Sequence, residues 1–400
     1  MKESLGEPKK MKNNINGHKV IVVGEEHYTP LGVIRSLGEK GINPIAYIKV
    51  NPRTKIASCS KYISELHLVD DYEDAVDEII DKYSKEETKP IVIPCDDIVV
   101  RCFDRIYDEI KDKMYVNNAG GSEKIAFYQE KDRMYELAKN CGLNVARAWK
   151  VHRGEVPIDI EFPVITKPIE SYEGWKQDYY VCENEKELKK AYEVIKGNTI
   201  LLQYYIKKKT EITLEGFAFN KGNNVIFAIK TRYTYILPDY YSMAMIVSNS
   251  SNIDLENRLR KMFKKIEYEG IFEVEFMVDQ SEKLWFLEIN FRNSTWSYAA
   301  TKTGMNLPYL WSKAMIGEQI GVDVIKRIPE NYKAIAEVPD FEQRVRRFKM
   351  ISFWKWLGEV RRADCLYFYD KKDIKPFASV WLYKLKSITN KMVRKVNMSK

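Results

Sequence analysis

The stretch IFEVEFMVDQSEKLWFLEINFRN, residues 271–293, decides the architecture. Apolar and polar residues alternate on both sides of a polar turn near Gln280-Ser281, the pattern of a β-hairpin with one face in a core. Period two puts Glu273 and Glu275 on one face of the first strand, and Glu288 and Asn290 on one face of the second. Their neighbours Phe276, Phe286, Leu287, Ile289 and Phe291 are apolar. Carboxylates within such strands are costly unless their charge is compensated. Magnesium compensates it, because it takes oxygen ligands and keeps substrate phosphate in its shell. Glu275, Glu288 and the Asn290 amide oxygen suit that role, with manganese as the alternative ion. The competing reading is solvent-facing acids on half-exposed strands.

Upstream, EITLEGFAFNKGNNVIFAIKTRY (211–233) alternates in the same way around a turn at Lys221–Asn224, a second hairpin. DLENRLRKMFKKIEYEG between the hairpins reads as a helix. PVITKPI (163–169) and TILLQYYI (199–206) read as strands, and ENEKELKKAYEVIKG as a charged amphipathic helix. EKIAFYQEKDRMYELAKNCG (123–142) reads as a helix broken near Cys141-Gly142. Locally paired strands outnumbering helices predict an antiparallel α+β unit.

The first hundred residues differ. KVIVV (19–23), Ile42–Val50, ELHLVD (65–70) and PIVIPCDD (90–97) read as strands separated by helices over 31–41 and 71–85. That order predicts an open parallel α/β sheet whose strand ends frame a crevice, with Gly24, Glu25, Asp96 and Asp97 beside it. Helix capping is the alternative role for the two aspartates. GEEHYTPLG holds only Gly24 and Gly32, so a dinucleotide fingerprint is absent.

Lys131, Lys167 and Lys230 add positive charge to the acids and asparagine of the hairpin. Lysines neutralise phosphate oxygens as point charges while a metal bridges them. The polar run ESYEGWKQD (170–178) predicts a loop, and Ser171–Lys176 could close over phosphates.

On these residues, the segment 115–320 resembles the ATP-grasp superfamily of carboxylate ligases. The resemblance implies an ATP-grasp fold, α/β and α+β overall, with an N-terminal parallel α/β domain over 18–114. A flexible terminus (1–17), an ATP-grasp domain (115–330) and a basic C-terminal extension (331–400) complete the expected organisation. It also implies roles. Lys131, Lys167, Lys230 and the loop at Ser171 would hold phosphates. Gln203, standing where the family has an acid, would hold adenine with Tyr205 and Ile206 at a hinge near 203–206. Glu211 would hold the ribose, with Glu215 as its rival. Glu275, Glu288 and Asn290 would hold the metal. Asn290-Phe291-Arg292 stands where the family has Asn-Pro-Arg, and Arg292 would hold the γ-phosphate or an acyl phosphate. Lys167, Lys230 and Arg292 would do the electrostatic work of catalysis.

The implied reaction is attack of a carboxylate on the γ-phosphate of ATP, followed by displacement of phosphate by an amine. The acceptor would sit near Ser294–Ser297 or the N-terminal crevice. The segment STWSYAATKTGMNLPYL resembles D-aspartate ligases of cell-wall cross-bridge synthesis, and also proteins labelled as carbamoyl-phosphate synthase large subunits. The latter need two such modules, and this length holds one. A non-catalytic nucleotide-binding regulator is the other alternative.

Composition sets the outer bounds. The chain has 400 residues, a formal charge of +8, and 30% charged residues, which suits two or three soluble domains. Six cysteines without paired spacing and four dispersed histidines argue against a disulfide framework or a zinc site. The N-terminus lacks the apolar core of a signal peptide, and no run approaches the ~20 apolar residues of a membrane span. A cytoplasmic protein is expected. Residues 381–400 carry six Lys or Arg and no acid, with Leu382, Leu385, Ile388, Met392 and Val396 on one helical face. Packing on its own domain, contact with the inner membrane face and binding of a partner are the readings of that stretch. No recognition module accompanies the charge, so nucleic acid is not an expected partner. Small-molecule carboxylates and amines are, and homodimerisation is compatible with them.

Overall fold

KVIVV folds as the centre of the first sheet because its neighbours bury it on both faces. The computed structural model describes residues 15–52, 54–168, 178–237 and 242–384. Strand β1 (Val20–Glu25) lies between β2 (Ile45–Lys49) and β4 (Ile91–Pro94), with β3 (Glu65–Val69) outside β2. All pairings are parallel, so the carboxyl ends converge at one edge. The following helix, Tyr28–Gly38, starts three residues before the Leu31 expected from the sequence. His27 accepts from the Thr29 amide, and Pro30 falls in the first turn, where a missing N–H costs nothing.

The second sheet, in the order β5-β8-β6-β7, contains β5 (Ala148–His152), β6 (Val164–Pro168), β7 (Val181–Cys182) and β8 (Thr199–Tyr204). The helix Glu185–Val194 covers it with Leu188, Ala191 and Tyr192.

The third sheet contains β9 (Lys208–Phe219), β10 (Asn224–Tyr233), β11 (Ala244–Ser248), β12 (Gly270–Asp279), β13 (Leu284–Asn290), β14 (Tyr332–Ile335) and β15 (Cys365–Leu366). Their order is β13-β12-β9-β10-β11-β14-β15. Both expected hairpins are present. One face packs under the helix Ile253–Ile266, where Leu259, Met262 and Phe263 meet Leu214, Phe227 and Phe272.

Three expectations need correction. Strand β11 was not anticipated, and β14 and β15 come from the segment read as an extension beyond 330. They pair with β11 and with each other, so the third sheet continues through residue 366. These are short, non-local pairings without a turn signal between partners. The helix over 123–142 is two helices, Lys124–Gln129 and Lys131–Asn140, parted by an extended Glu130. The break makes Lys131 the first residue of a new helix.

A buried ion pair ties the first helix to the segment around residue 373. Arg35, on the first helix, donates to Asp373 Oδ2 at 3.0 Å and to the Tyr367 and Phe368 carbonyls. Both side chains are fully buried, and Asp373 also accepts from Ser60 and Lys61. Residues 375–384 are helical, and residues 385–400 of the basic tail lie outside the described part.

Candidate active site

The strand register gathers the acids. Glu275 on β12 stands opposite Glu288 on β13, and Glu273 opposite Asn290. Across β9, Glu273 faces Glu215, Glu275 faces Thr213, and Met277 faces Glu211. Opposed residues share a face in an antiparallel pair. One face of the sheet therefore carries Glu211, Glu215, Glu273, Glu275, Glu288 and Asn290. The Asn290 amide donates to Glu273 at 2.9 Å and to Glu275 at 2.8 Å.

This face is electrostatically uncomfortable. Burial, reinforced by Glu273, Glu288 and Glu211, pushes the Glu275 carboxyl well above its ordinary range. Burial also raises Glu288, against the opposing pull of Lys131. Glu215 is raised by burial and by Glu273, and its Oε1 finds no hydrogen-bond partner among the described residues. Such a set of carboxylates beside an amide fits a hard divalent cation. Among the described residues no three His, Cys, Asp or Glu side chains group as a self-sufficient cage. The fit is therefore to an ion whose shell substrate oxygens complete, as magnesium's commonly is.

The lysines come from the other side. Lys167, on β6, donates to Gln203 Oε1 at 2.5 Å and to the Tyr135 hydroxyl at 3.5 Å. Lys131 donates to the Pro168 carbonyl at 3.3 Å. Burial lowers both ammonium groups to about 8, with Glu288 working against the shift in each case. Among the described residues neither forms an ion pair. The structure thus brings Lys131, Lys167 and Glu288 into one electrostatic site. Tyr135 went unnoticed in the sequence, although it lies four residues after Lys131 and so on the same helix face.

A cleft between the second and third sheets adjoins Lys167. Ala146, Ile165, Gln203, Tyr205, Ile206 and Leu287 line it. Tyr205 and Ile206 lie in the link between β8 and β9, where the chain passes from one sheet to the other. Met277 lines the same cleft, and its cross-strand neighbour Glu211 is held by Lys208 at 2.5 Å. Glu215, the rival to Glu211, is instead fully buried and accepts from Ser294 at 2.7 Å and Ser297 at 2.6 Å.

Lys230 is not brought to this site. It stands opposite Leu214 and so projects from the helix-covered face, away from the acids. A β-bulge between Phe227 and Ile229 is the cause. It inserts one residue and reverses the alternation beyond it, so that Thr231 takes the acid face and bonds Thr213 at 2.8 Å.

Arg292 closes the site from the N-terminal sheet's side. Its Nε lies 3.0 Å from Asp97 Oδ2, at the carboxyl end of β4. The two aspartates divide the roles foreseen for them: Asp96 caps the helix Asp97–Arg105, accepting from the Ile98 amide at 2.8 Å, while Asp97 faces the site. Burial opposes the Arg292 charge, but Asp97 and Glu273 together outweigh it and raise its proton affinity. Thr29, after β1, donates to Thr295 at 3.4 Å and joins the loop beyond Arg292 to the same sheet edge. Ser171 and its loop lie outside the described residues.

The ATP-grasp domain family matches residues 136–298. Solved structures share the arrangement at low sequence identity. N5-carboxyaminoimidazole synthetase from Staphylococcus aureus aligns with a TM-score of 0.62 and 16% identity, over 83% of this chain and 86% of that one. A biotin carboxylase–β,γ-ATP complex from Campylobacter jejuni aligns at 0.60 and 18%, over 77% and 73%. L-amino acid ligase from Bacillus licheniformis aligns at 0.57 and 13%, over 75% and 74%. No curated protein sequence matches the chain. The molecule has an ATP-grasp fold preceded by a parallel α/β domain. Among the described residues no helix is long and apolar enough to cross a membrane.

Proposed function

We propose that the chain is an ATP-dependent ligase that activates a small carboxylate as its acyl phosphate and joins it to an amine. The observation that carries this reading is the placing of Lys131 and Lys167, which form no ion pair among the described residues, opposite the acid face at Glu275, Glu288 and Asn290. Gln203, Tyr205 and Ile206 would hold the base, and Glu211 the sugar. Lys131 and Lys167 would neutralise phosphate oxygens. Glu275, Glu288 and the Asn290 amide oxygen would hold magnesium, or manganese, which neutralises triphosphate charge when bound. Arg292 would stabilise the phosphoryl group in transfer. The work is positioning and charge neutralisation, and no side chain need act as a nucleophile. The likeness to an L-amino acid ligase and the resemblance of residues 294–310 to D-aspartate ligases support an amino acid as the carboxylate.

The test incubates the chain with ATP, magnesium and paired carboxylates and amines, D-aspartate among them. ADP, not AMP, should appear only when both partners are present, with the amide detected by mass spectrometry. Release of AMP, or ADP release indifferent to the carboxylate, would overturn the reading.

A further inference from the structure

Charge is segregated along this chain. Residues 344–400 contain 16 Lys and Arg against four Asp and Glu, whereas the whole chain has 65 against 57. The last segment therefore carries +12, and everything before it carries −4.

The described part of that segment also exposes apolar groups. The helix Phe353–Arg361 buries Trp356 against Phe341, but leaves Phe353 43% and Trp354 77% exposed. Met350, just before it, is 45% exposed. Phe341 also contacts Trp381, on helical residues 375–384, where Leu382 is 59% exposed. The two helices thus share one aromatic cluster and each presents uncovered apolar side chains beside it. Lys349, Lys355, Arg361 and Arg362 are exposed around them, without an ion pair among the described residues.

Exposed Trp and Phe beside unpaired cations is the composition that partitions to an anionic interface, where rings settle at headgroup level and lysines and arginines meet lipid phosphates. The aliphatic members, Met350 and Leu382, suit acyl chains better than stacked bases. The sequence beyond the described part continues the pattern, with five more Lys or Arg over 385–400 and apolar residues at helical spacing. We propose that this face, centred on Phe353 and Trp354, docks on the surface of an anionic lipid bilayer. The proposal is independent of the ligase reading, since none of these residues belongs to the nucleotide site.

Co-sedimentation of the full chain, without nucleotide, with vesicles of phosphatidylcholine containing phosphatidylglycerol tests it. Binding is expected to these vesicles, not to phosphatidylcholine alone, and to weaken as salt rises. Trp354→Ser should lower the partition coefficient about tenfold, the share of burying one large ring. Being exposed, the change should leave the circular-dichroism spectrum unaltered. No binding to the anionic vesicles would overturn the proposal. So would binding indifferent to Trp354→Ser, or single-stranded DNA bound more tightly than the vesicles.

Discussion

Replacing Lys167 with methionine should make the nucleotide-free protein more stable while abolishing its response to ATP. In the folded chain the ammonium group holds its proton with a pKa of about 8, against 10.5 for an ordinary lysine, because burial strips its water. At about 1.4 kcal/mol for each tenfold in proton affinity, keeping the charge at pH 7 costs about 3 kcal/mol. Methionine retains most of the apolar stem and carries no charge. It forfeits the hydrogen bond to Gln203, a loss of about 1 kcal/mol. The net expectation at pH 7 is a gain of about 2 kcal/mol. The sign depends on pH. A lysine with a lowered folded pKa binds fewer protons folded than unfolded between 8 and 10.5, so the wild type gains stability across that window. Above it the wild type's penalty has gone and the methionine variant should be the weaker by about 1 kcal/mol. Urea unfolding at pH 7 and at pH 10.5 measures the crossover. Adding ATP and magnesium at pH 7 should stabilise the wild type by about 2.7 kcal/mol at a hundredfold over Kd, and the variant hardly at all. A variant less stable than wild type at pH 7, or one still stabilised by ATP, would refute the assignment of Lys167 as a desolvated phosphate ligand.

Three further outcomes follow from the same geometry. Glu288→Gln should reduce ADP release by about a hundredfold or more with an unchanged circular-dichroism spectrum, and a near-normal rate would remove Glu288 from the ion's shell. The raised Glu275 and Glu288 carboxyls bind more protons folded than unfolded, so the ion-free chain should lose stability as pH climbs above the ordinary carboxylate value of 4.5. Magnesium should restore it, and more so at pH 8 than at pH 5; thermal melts with an equal magnesium shift at both would contradict the acid face as an ion site. Lys230→Ala should leave kcat/KM within about twofold of wild type, because the residue lies on the far face of its sheet, and a large loss would return Lys230 to the phosphate site.

Much of the fold could be read directly because its signals are local. The alternation in 271–293 and 211–233 specifies hairpins, and their apolar face specifies which side is buried. The acids Glu273, Glu275 and Glu288 stood out because a carboxylate at a core-flanking position breaks its own strand's pattern. Lys230 came from the resemblance and from its place at the end of a strand, and neither says which face it takes. The single residue inserted between Phe227 and Ile229, which turns it away from the acids, leaves no compositional mark. Strands β14 and β15 failed because their pairing energy comes from partners far away in sequence. Asp97 was legible only as one of two candidates, since capping and pairing both draw on an acid at a strand's end. The buried tie between Arg35 and Asp373 was invisible altogether, because each is an ordinary surface residue type until the fold brings them together.

The two halves of the site are built so that neither satisfies the other. Lys131 and Lys167 belong to the second sheet and its preceding helix, whereas Glu211, Glu273, Glu275 and Glu288 belong to the third. Their proton affinities are displaced in opposite directions, the lysines downward and Glu273, Glu275 and Glu288 upward, and in each group burial is the leading cause. Had the halves formed ion pairs, both displacements would have reversed. A ligand that relieves both must be anionic toward the lysines and cationic toward the acids. A bare polyphosphate relieves the first and aggravates the second, and a bare dication does the opposite. A polyphosphate carrying a divalent ion does both at once, and the apolar cleft at Ile165, Ile206 and Leu287 adds a place for an attached flat base. On the proposed reading, the charge pattern suits a metal–nucleotide complex better than either component alone.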